Sequence, residues 1–129
     1  MIKMEDITLL TKAYSQCIMI TEQVERFVAG TGIQNGVLFV ITNHTTTGIL
    51  VNEGLECLED DFVNFMSKLA PDEGEYSHAR FLASYGAMAN NAPAHLKSLV
   101  CGNHAVFMIR DGQIWRRFAQ EVYFFEFDG

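Results

Sequence analysis

The chain has 129 residues, 49% hydrophobic and 19% charged, which is enough for one domain with a real core, leaves little room for a second, and excludes a disordered chain. A net charge of -7 with only nine Lys and Arg excludes the basic footprint that a phosphate backbone requires, and Arg116-Arg117 is too small a cluster to restore it. No apolar run approaches the roughly 18 residues of a membrane span, no charged-then-apolar leader precedes a cleavage-like site, and the odd set Cys17, Cys57 and Cys101 lacks metal-type spacing, so the expectation is a soluble cytoplasmic protein with reduced thiols that meets neither nucleic acid nor membrane.

In chain order, Ile2 to Leu10 and Tyr14 to Ile20 are β-leaning runs that predict two strands, with Lys12-Ala13 as the connection. Thr21 predicts a helix N-cap, followed by Glu22 and Glu25 in the first turn and by Val24, Phe27 and Val28 at helical spacing. Gly30 and Gly32 predict its end. Val37 to Ile41 is a continuous β-branched and aromatic run, the pattern of a strand buried on both faces, and Ile49 to Val51 is a second such run, paired with the first as a hairpin. Between them lies a polar knot, His44-Thr-Thr-Thr-Gly48. Such a knot also fits a solvated loop. Asn52-Glu53 argues for more, because it puts a carboxylate at a strand-to-helix junction while the imidazole sits at the opposite end of the same hairpin.

Leu55, Leu58, Phe62, Phe65, Met66 and Leu69 recur at three- and four-residue steps and predict a long helix. Its acids come early and Lys68 late, as the helix dipole prefers, so Glu56, Glu59, Asp60 and Asp61 read as a solvated face. Glu53 and Asp60 share a face about 10 Å apart along the axis, too far for a direct carboxylate pair but within reach of a bridging substrate. Pro71 and Gly74 break the helix, and a long irregular stretch follows to Ala92, of the kind that often carries function. Pro93 predicts the first turn of a short helix with Leu96, Leu99 and Val100 on one side, stopped by Gly102. His104 to Ile109, an Asp111-Gly112 hairpin turn, Gln113 to Phe118 and Val122 to Phe127 complete an antiparallel run. The order predicts an α+β fold with mainly antiparallel sheets. No Gly-rich phosphate loop, nucleophile elbow or cysteine metal motif is present.

Four stretches go further: His44-Thr-Thr-Thr-Gly-Ile-Leu-Val-Asn-Glu53, Pro71-Asp-Glu-Gly-Glu-Tyr-Ser-His78, Ala92-Pro-Ala-His-Leu-Lys-Ser-Leu-Val-Cys-Gly102 and Asp111-Gly-Gln-Ile114. In this order the chain resembles the YjbQ-like family, named secondary thiamine-phosphate synthase enzymes, from its first strand to Gly129. The resemblance implies a single YjbQ-like domain, a β-sandwich with flanking helices, a homotrimer packed by its sheets, and a metal-associated pocket. The activity it implies is a weak thiamine-phosphate synthase, which joins a hydroxymethylpyrimidine pyrophosphate to a thiazole phosphate.

Carried over by the resemblance, His44, His78 and His95 are the metal-ligand candidates, for a divalent ion and zinc by preference, with the fourth position open to water. Asn52 and Glu53 match the family's Asn-Glu pair. Asp61 takes the place of its helix aspartate across a one-residue gap. Glu53 and Asp61 are thus the catalytic candidates, holding the metal's water or a substrate hydroxyl. Thr45, Asn52, Asn91 and Gln120 are the candidates for binding a small, phosphorylated substrate. His104 begins a strand, has no counterpart in the motifs and is excluded. Three departures from the family pattern stand against the activity: Arg117-Phe118-Ala119-Gln120 replaces a Gly-Thr-Trp-Gln motif, Ala79 stands where an aspartate is expected, and the sequence stops at Asp128-Gly129, where the resemblance leads one to expect an arginine-bearing strand. The second reading is therefore a non-catalytic trimer that binds a metal or a small ligand. Trimerisation is also expected because Val122-Tyr-Phe-Phe-Glu-Phe127 carries large apolar groups on both strand faces.

Overall fold

The computed structural model describes residues 1–78 and 91–129. In chain order the elements are β1 (Gln16–Met19), α1 (Thr21–Thr31), β2 (Asn35–Ile41), β3 (Thr47–Asn52), α2 (Glu56–Leu69), α3 (Ala92–Cys101), β4 (His104–Arg110), β5 (Gln113–Trp115) and β6 (Glu121–Glu126). The strands form two antiparallel sheets, β1-β6-β3 and β2-β4-β5. The fold is α+β, as the order of runs predicts.

The expected β2–β3 hairpin does not form. β2 pairs with β4 and β3 with β6, so the polar knot carries the chain from one sheet to the other. A hydrogen bond of 2.6 Å between the Thr42 and Thr47 hydroxyls spans this crossing. The Asp111-Gly112 turn does form as read: both residues have positive φ, 51° and 75°, the combination that a tight two-residue hairpin requires.

Other boundaries moved for identifiable reasons. Ile2 to Leu10 is no strand: among the described residues no strand pairs with it, and residues 1–10 make no backbone hydrogen bond. Thr21 is the first helical residue rather than the cap; it is buried, and its Oγ1 accepts the Val122 amide at 2.8 Å. α1 runs through Gly30 and ends at Gly32, which takes the left-handed conformation at φ 72°. β5 stops at Trp115 instead of Phe118, where the chain leaves the sheet.

The two layers meet over a core of Val24 and Val28 from α1, Leu38, Val40, Phe107 and Ile109 from one sheet, and Ile49 and Val122 from the other. A second core lies on the far side of β6, where Tyr123, Phe125 and Phe127 pack with Met66, Phe62 and Ala94 beneath the helices. β6 is therefore covered on both faces by its own chain, and the uncovered surface is elsewhere. β2 was expected to be buried on both faces, but its burial alternates: Leu38 and Val40 point in, while Val37, Phe39 and Ile41 are exposed. Cross-strand pairing sets Val37 beside Met108 and Met108 beside Trp115, and Phe39 beside Val106. All of these are exposed, which makes a continuous apolar face on the outside of β2-β4-β5. Among the described residues no helix is long and apolar enough to cross a membrane.

Candidate functional site

The site is built by the way α3 lies on β3. Gly48 permits the approach: a Cβ there would stand 2.5 Å from the Cys101 sulfur and 3.2 Å from the Gly102 carbonyl. The contact is fixed by the Ser98 hydroxyl donating to the Thr47 carbonyl at 2.6 Å and the Ile49 amide donating to the Gly102 carbonyl at 3.0 Å. At the start of α3, the Asn91 side-chain amide donates to the Asp128 carboxylate at 2.7 Å. One turn before Ser98, this docking carries His95.

The segment after α2 is drawn to the same helix by a buried lysine. Lys97 is 1% exposed, and its ammonium donates to Asp72 Oδ1 at 2.9 Å. A buried cation needs such a partner, and Asp72, half exposed, supplies it at little cost in solvation. Tyr76 then folds back, its hydroxyl donating to the Pro71 carbonyl at 2.7 Å. These two ties bring His78 alongside His95, with ring centres 5.5 Å apart and planes at 76°. The pair borders a groove of about 480 Å³ lined by Tyr76, Ser77, His78, Ala92, His95 and Leu96.

The remaining candidates are distributed differently. His44 is exposed, and its Nδ1 shares a 2.7 Å hydrogen bond with the buried Thr46 hydroxyl, while its carbonyl accepts from Thr47 Oγ1 at 3.2 Å. Among the described residues no group of three or more His, Cys, Asp and Glu is disposed to hold a metal ion, so the histidines come together as a pair, His78 with His95, and not as a three-residue cluster. Thr45 is exposed on the same connection as His44. Ala79 and most of the irregular stretch before Ala92 lie outside the described residues. His104 is exposed and bonded to its neighbour Asn103.

Glu53, Asn52 and Gln120 lie at the other end of β3. Register puts Thr47 opposite Glu126 and Asn52 opposite Glu121, so the two ends of the strand are roughly 17 Å apart at 3.3 Å per residue. Asn52 Oδ1 accepts the Glu53 amide at 2.9 Å, and Gln120 Oε1 accepts the Arg117 amide at 2.9 Å; both side chains tie up their own turns. Arg116 is committed to Glu25 at 2.8 Å and Glu121 at 3.3 Å. The side chains of Glu53 and Asp61 are exposed. Glu53 therefore lies at the end of β3 away from the Thr47 contact that carries α3 and His95.

Glu59, read as part of a solvated face, turns inward instead. Its Oε1 accepts the hydroxyl of the fully buried Tyr123 at 2.9 Å, and the same hydroxyl lies 3.4 Å from the Glu53 carbonyl. Burial, then the bond to Glu59, pushes the Tyr123 phenol far above its usual range. Burial, then the Glu59 carboxylate, lifts the Cys17 thiol to about 12, and burial alone lifts Cys101 to about 11. Both thiols are protonated at neutral pH and are poor nucleophiles. The signal was present in the sequence: Glu59 is three residues before Phe62 and seven before Met66, on the apolar stripe.

Two antiparallel sheets flanked by helices, with a histidine-bordered groove where α3 meets the segment after α2, define an α+β sandwich with a pocket at one end. The chain belongs to the family described as UPF0047 protein YjbQ-like, whose profile matches residues 5–129. A UPF0047 protein of Archaeoglobus fulgidus is 38% identical over 124 residues, 96% of this chain and 90% of that one. UPF0047 protein YugU of Bacillus subtilis is 31% identical over 120 residues, 92% of this chain and 85% of that one. Among solved structures, a YbjQ-like protein of unknown function from Sulfolobus solfataricus superimposes with a TM-score of 0.88 at 29% identity, covering 97% of this chain and 86% of that one. An uncharacterized YjbQ/UPF0047 protein from Clostridium acetobutylicum gives 0.82 at 31% identity, covering 94% and 88%.

Proposed function

We propose that this protein binds a divalent metal ion, zinc by preference, between His78 and His95, and that the adjoining groove takes a small, phosphorylated molecule. The ring separation carries the reading. A tetrahedral zinc with Zn–N bonds of about 2.0–2.1 Å sets two imidazole centres roughly 5 Å apart, and these rings are 5.5 Å apart. Two protein ligands leave the other positions to water or to the ligand's own oxygens, and a bound cation would offset phosphate charge that this acidic chain does not otherwise balance. His78 and His95 would hold the ion, while Lys97 and Asp72 fix the segment that carries His78. Free Cys17, Cys57 and Cys101 suit a reducing, cytoplasmic setting.

We read the assembly as a homotrimer. The support is the outer face of β2-β4-β5, where Val37, Phe39, Val106, Met108 and Trp115 are exposed among the described residues, Trp115 with the Arg110 guanidinium 4.1 Å over its ring. A partner sheet would cover it. The enzymatic reading, a weak thiamine-phosphate synthase, keeps the support of the four motifs and the Asn52-Glu53 pair. Against it stand the distance between the two ends of β3 and an exposed turn of Arg117, Phe118 and Ala119 in place of Gly-Thr-Trp. The binding reading is therefore the stronger, with synthase turnover feeble or absent. Metal analysis of protein purified without chelator tests it, with zinc expected at one ion per chain; metal-free protein that added zinc does not bind would refute it. Complementation of a strain lacking its own thiamine-phosphate synthase separates the two readings: robust rescue that Glu53→Ala abolishes would favour the enzyme.

A further inference from the structure

Asn91 occupies the N-cap position of α3, yet its side chain does not cap the helix. A capping side chain accepts from the second or third amide of its helix. Here the second residue is Pro93, which has no N–H, and the third amide, that of Ala94, donates to the Asn91 main-chain carbonyl at 3.0 Å. The side-chain oxygen of Asn91 is thus left without either of its usual donors.

The other half of this amide is fixed. Its Nδ2 donates to Asp128 Oδ2 at 2.7 Å, and Asp128 is itself placed by its main-chain amide, which donates to Glu126 Oε1 at 3.0 Å. A carboxylate only accepts, so the nitrogen must face Asp128 and the oxygen must point the other way. That oxygen is buried and meets no donor among the described residues, which in a folded protein calls for an explanation. His95 comes four residues later, and its amide also reaches the Asn91 carbonyl, at 3.3 Å, so the turn between them is helical. On a helix, side chains four apart stand about 5–6 Å apart at Cβ, and the later one leans back over the earlier. A buried acceptor without a donor therefore sits one turn before an imidazole, a group that carries an N–H.

We propose that Asn91 is a positioning residue for the metal site: with zinc bound between His78 and His95, Asn91 Oδ1 accepts the N–H of the His95 ring nitrogen that does not face the ion. This rests on the metal reading above and adds to it the group that sets the His95 tautomer. A metal-bound imidazole donates its second N–H to a fixed acceptor, which orients the ring and strengthens it as a ligand. Asp128 acts one step further back, by keeping the oxygen of Asn91, and not its nitrogen, available to the ring.

The test combines calorimetric zinc titration with proton–nitrogen NMR of the imidazoles, on the full chain, on Asn91→Ala and on the exchanged pair Asn91→Asp, Asp128→Asn. The exchanged pair reverses donor and acceptor between positions 91 and 128 and still offers an oxygen to His95. The proposal expects zinc affinity weaker by about ten-fold or more in Asn91→Ala, native affinity in the exchanged pair, and a slowly exchanging His95 ring N–H in the zinc-loaded native protein that Asn91→Ala loses. Weaker affinity in Asn91→Ala with that N–H unchanged marks a purely structural role and overturns the proposal. So does native affinity in Asn91→Ala, or an exchanged pair that stays as weak as Asn91→Ala. A rapidly exchanging His95 N–H in the zinc-loaded native protein overturns it too, a result that holds even where Asn91→Ala fails to fold. A native protein that binds no zinc overturns the metal reading and this inference with it.

Discussion

At the Thr47 end of β3 a helix lies close against the strand and leaves a groove beside it, whereas at the Asn52 end the space above the sheet is filled by Tyr123, Glu59 and Phe62. Both ends hold ionisable side chains, but to different effect. His78 and His95 are held by ties that leave their rings facing a groove. Glu59 is spent on a buried phenol, and that bond fastens α2 to the sheet. A polar residue at an open end can meet a ligand; the same chemistry at a closed end stabilises the fold. Substitutions at the two ends should therefore divide into those that change binding and those that change only stability.

The largest effect is expected at Gly48→Val. The new side chain would begin 2.5 Å from the Cys101 sulfur, with the backbone held by Ile49 and Gly102. Overpacking should cost about 3 kcal/mol, read as a lower Tm, and lifting α3 should weaken zinc binding as well. Native stability with native zinc affinity would show that α3 does not depend on this close approach. Next is Tyr123→Phe at the closed end. Losing the hydroxyl leaves the half-buried Glu59 carboxylate without its donor, at a cost of about 1–2 kcal/mol, with zinc binding unchanged. Altered zinc affinity in this variant would mean that the two ends are coupled.

A smaller effect should appear with pH, through the partly buried Cys17 thiol, which lies level with Gly48 across β6. Above pH 9 the unfolded chain releases the Cys17 proton, which the folded chain keeps until about 12. The folded state then binds more protons than the unfolded one, so stability declines as pH rises through that window. Cys101 and Tyr123, raised in the same direction, add to the decline. Melting temperatures across the range should fall, and Cys17→Ala should make the fall shallower. A profile that rises with pH would contradict the burial of these groups.

Much of the fold was legible because local pattern sufficed for it. The stripe from Phe62 to Leu69 specified α2, and Asp111-Gly112 specified the β4–β5 turn. Pairing was not legible: β2 and β3 are adjacent, apolar and similar in pattern, and only contacts with β4 and β6, more than 50 residues later, assign them to different sheets. Ile2 to Leu10 has the residues of a strand but not the neighbour that makes one. For the site, the sequence supplied His78 and His95 through the motifs, but not their meeting. That depends on Lys97 reaching Asp72, 25 residues away, and no periodicity reports such a tie. His44 and Glu53 bracket a strand, and a strand holds its ends apart.

The paired histidines are tested most directly by the zinc dependence of Tm in the native protein and in single variants. Zinc should raise the native Tm, and His78→Ala and His95→Ala should each abolish the rise. Lys97→Met, which keeps the buried stem and removes only the tie to Asp72, should reduce zinc affinity about ten-fold while changing apo stability by less than about 1 kcal/mol. His44→Ala and His104→Ala should leave the zinc response intact. No zinc response in the native protein, or an equal loss in His104→Ala, would contradict the account.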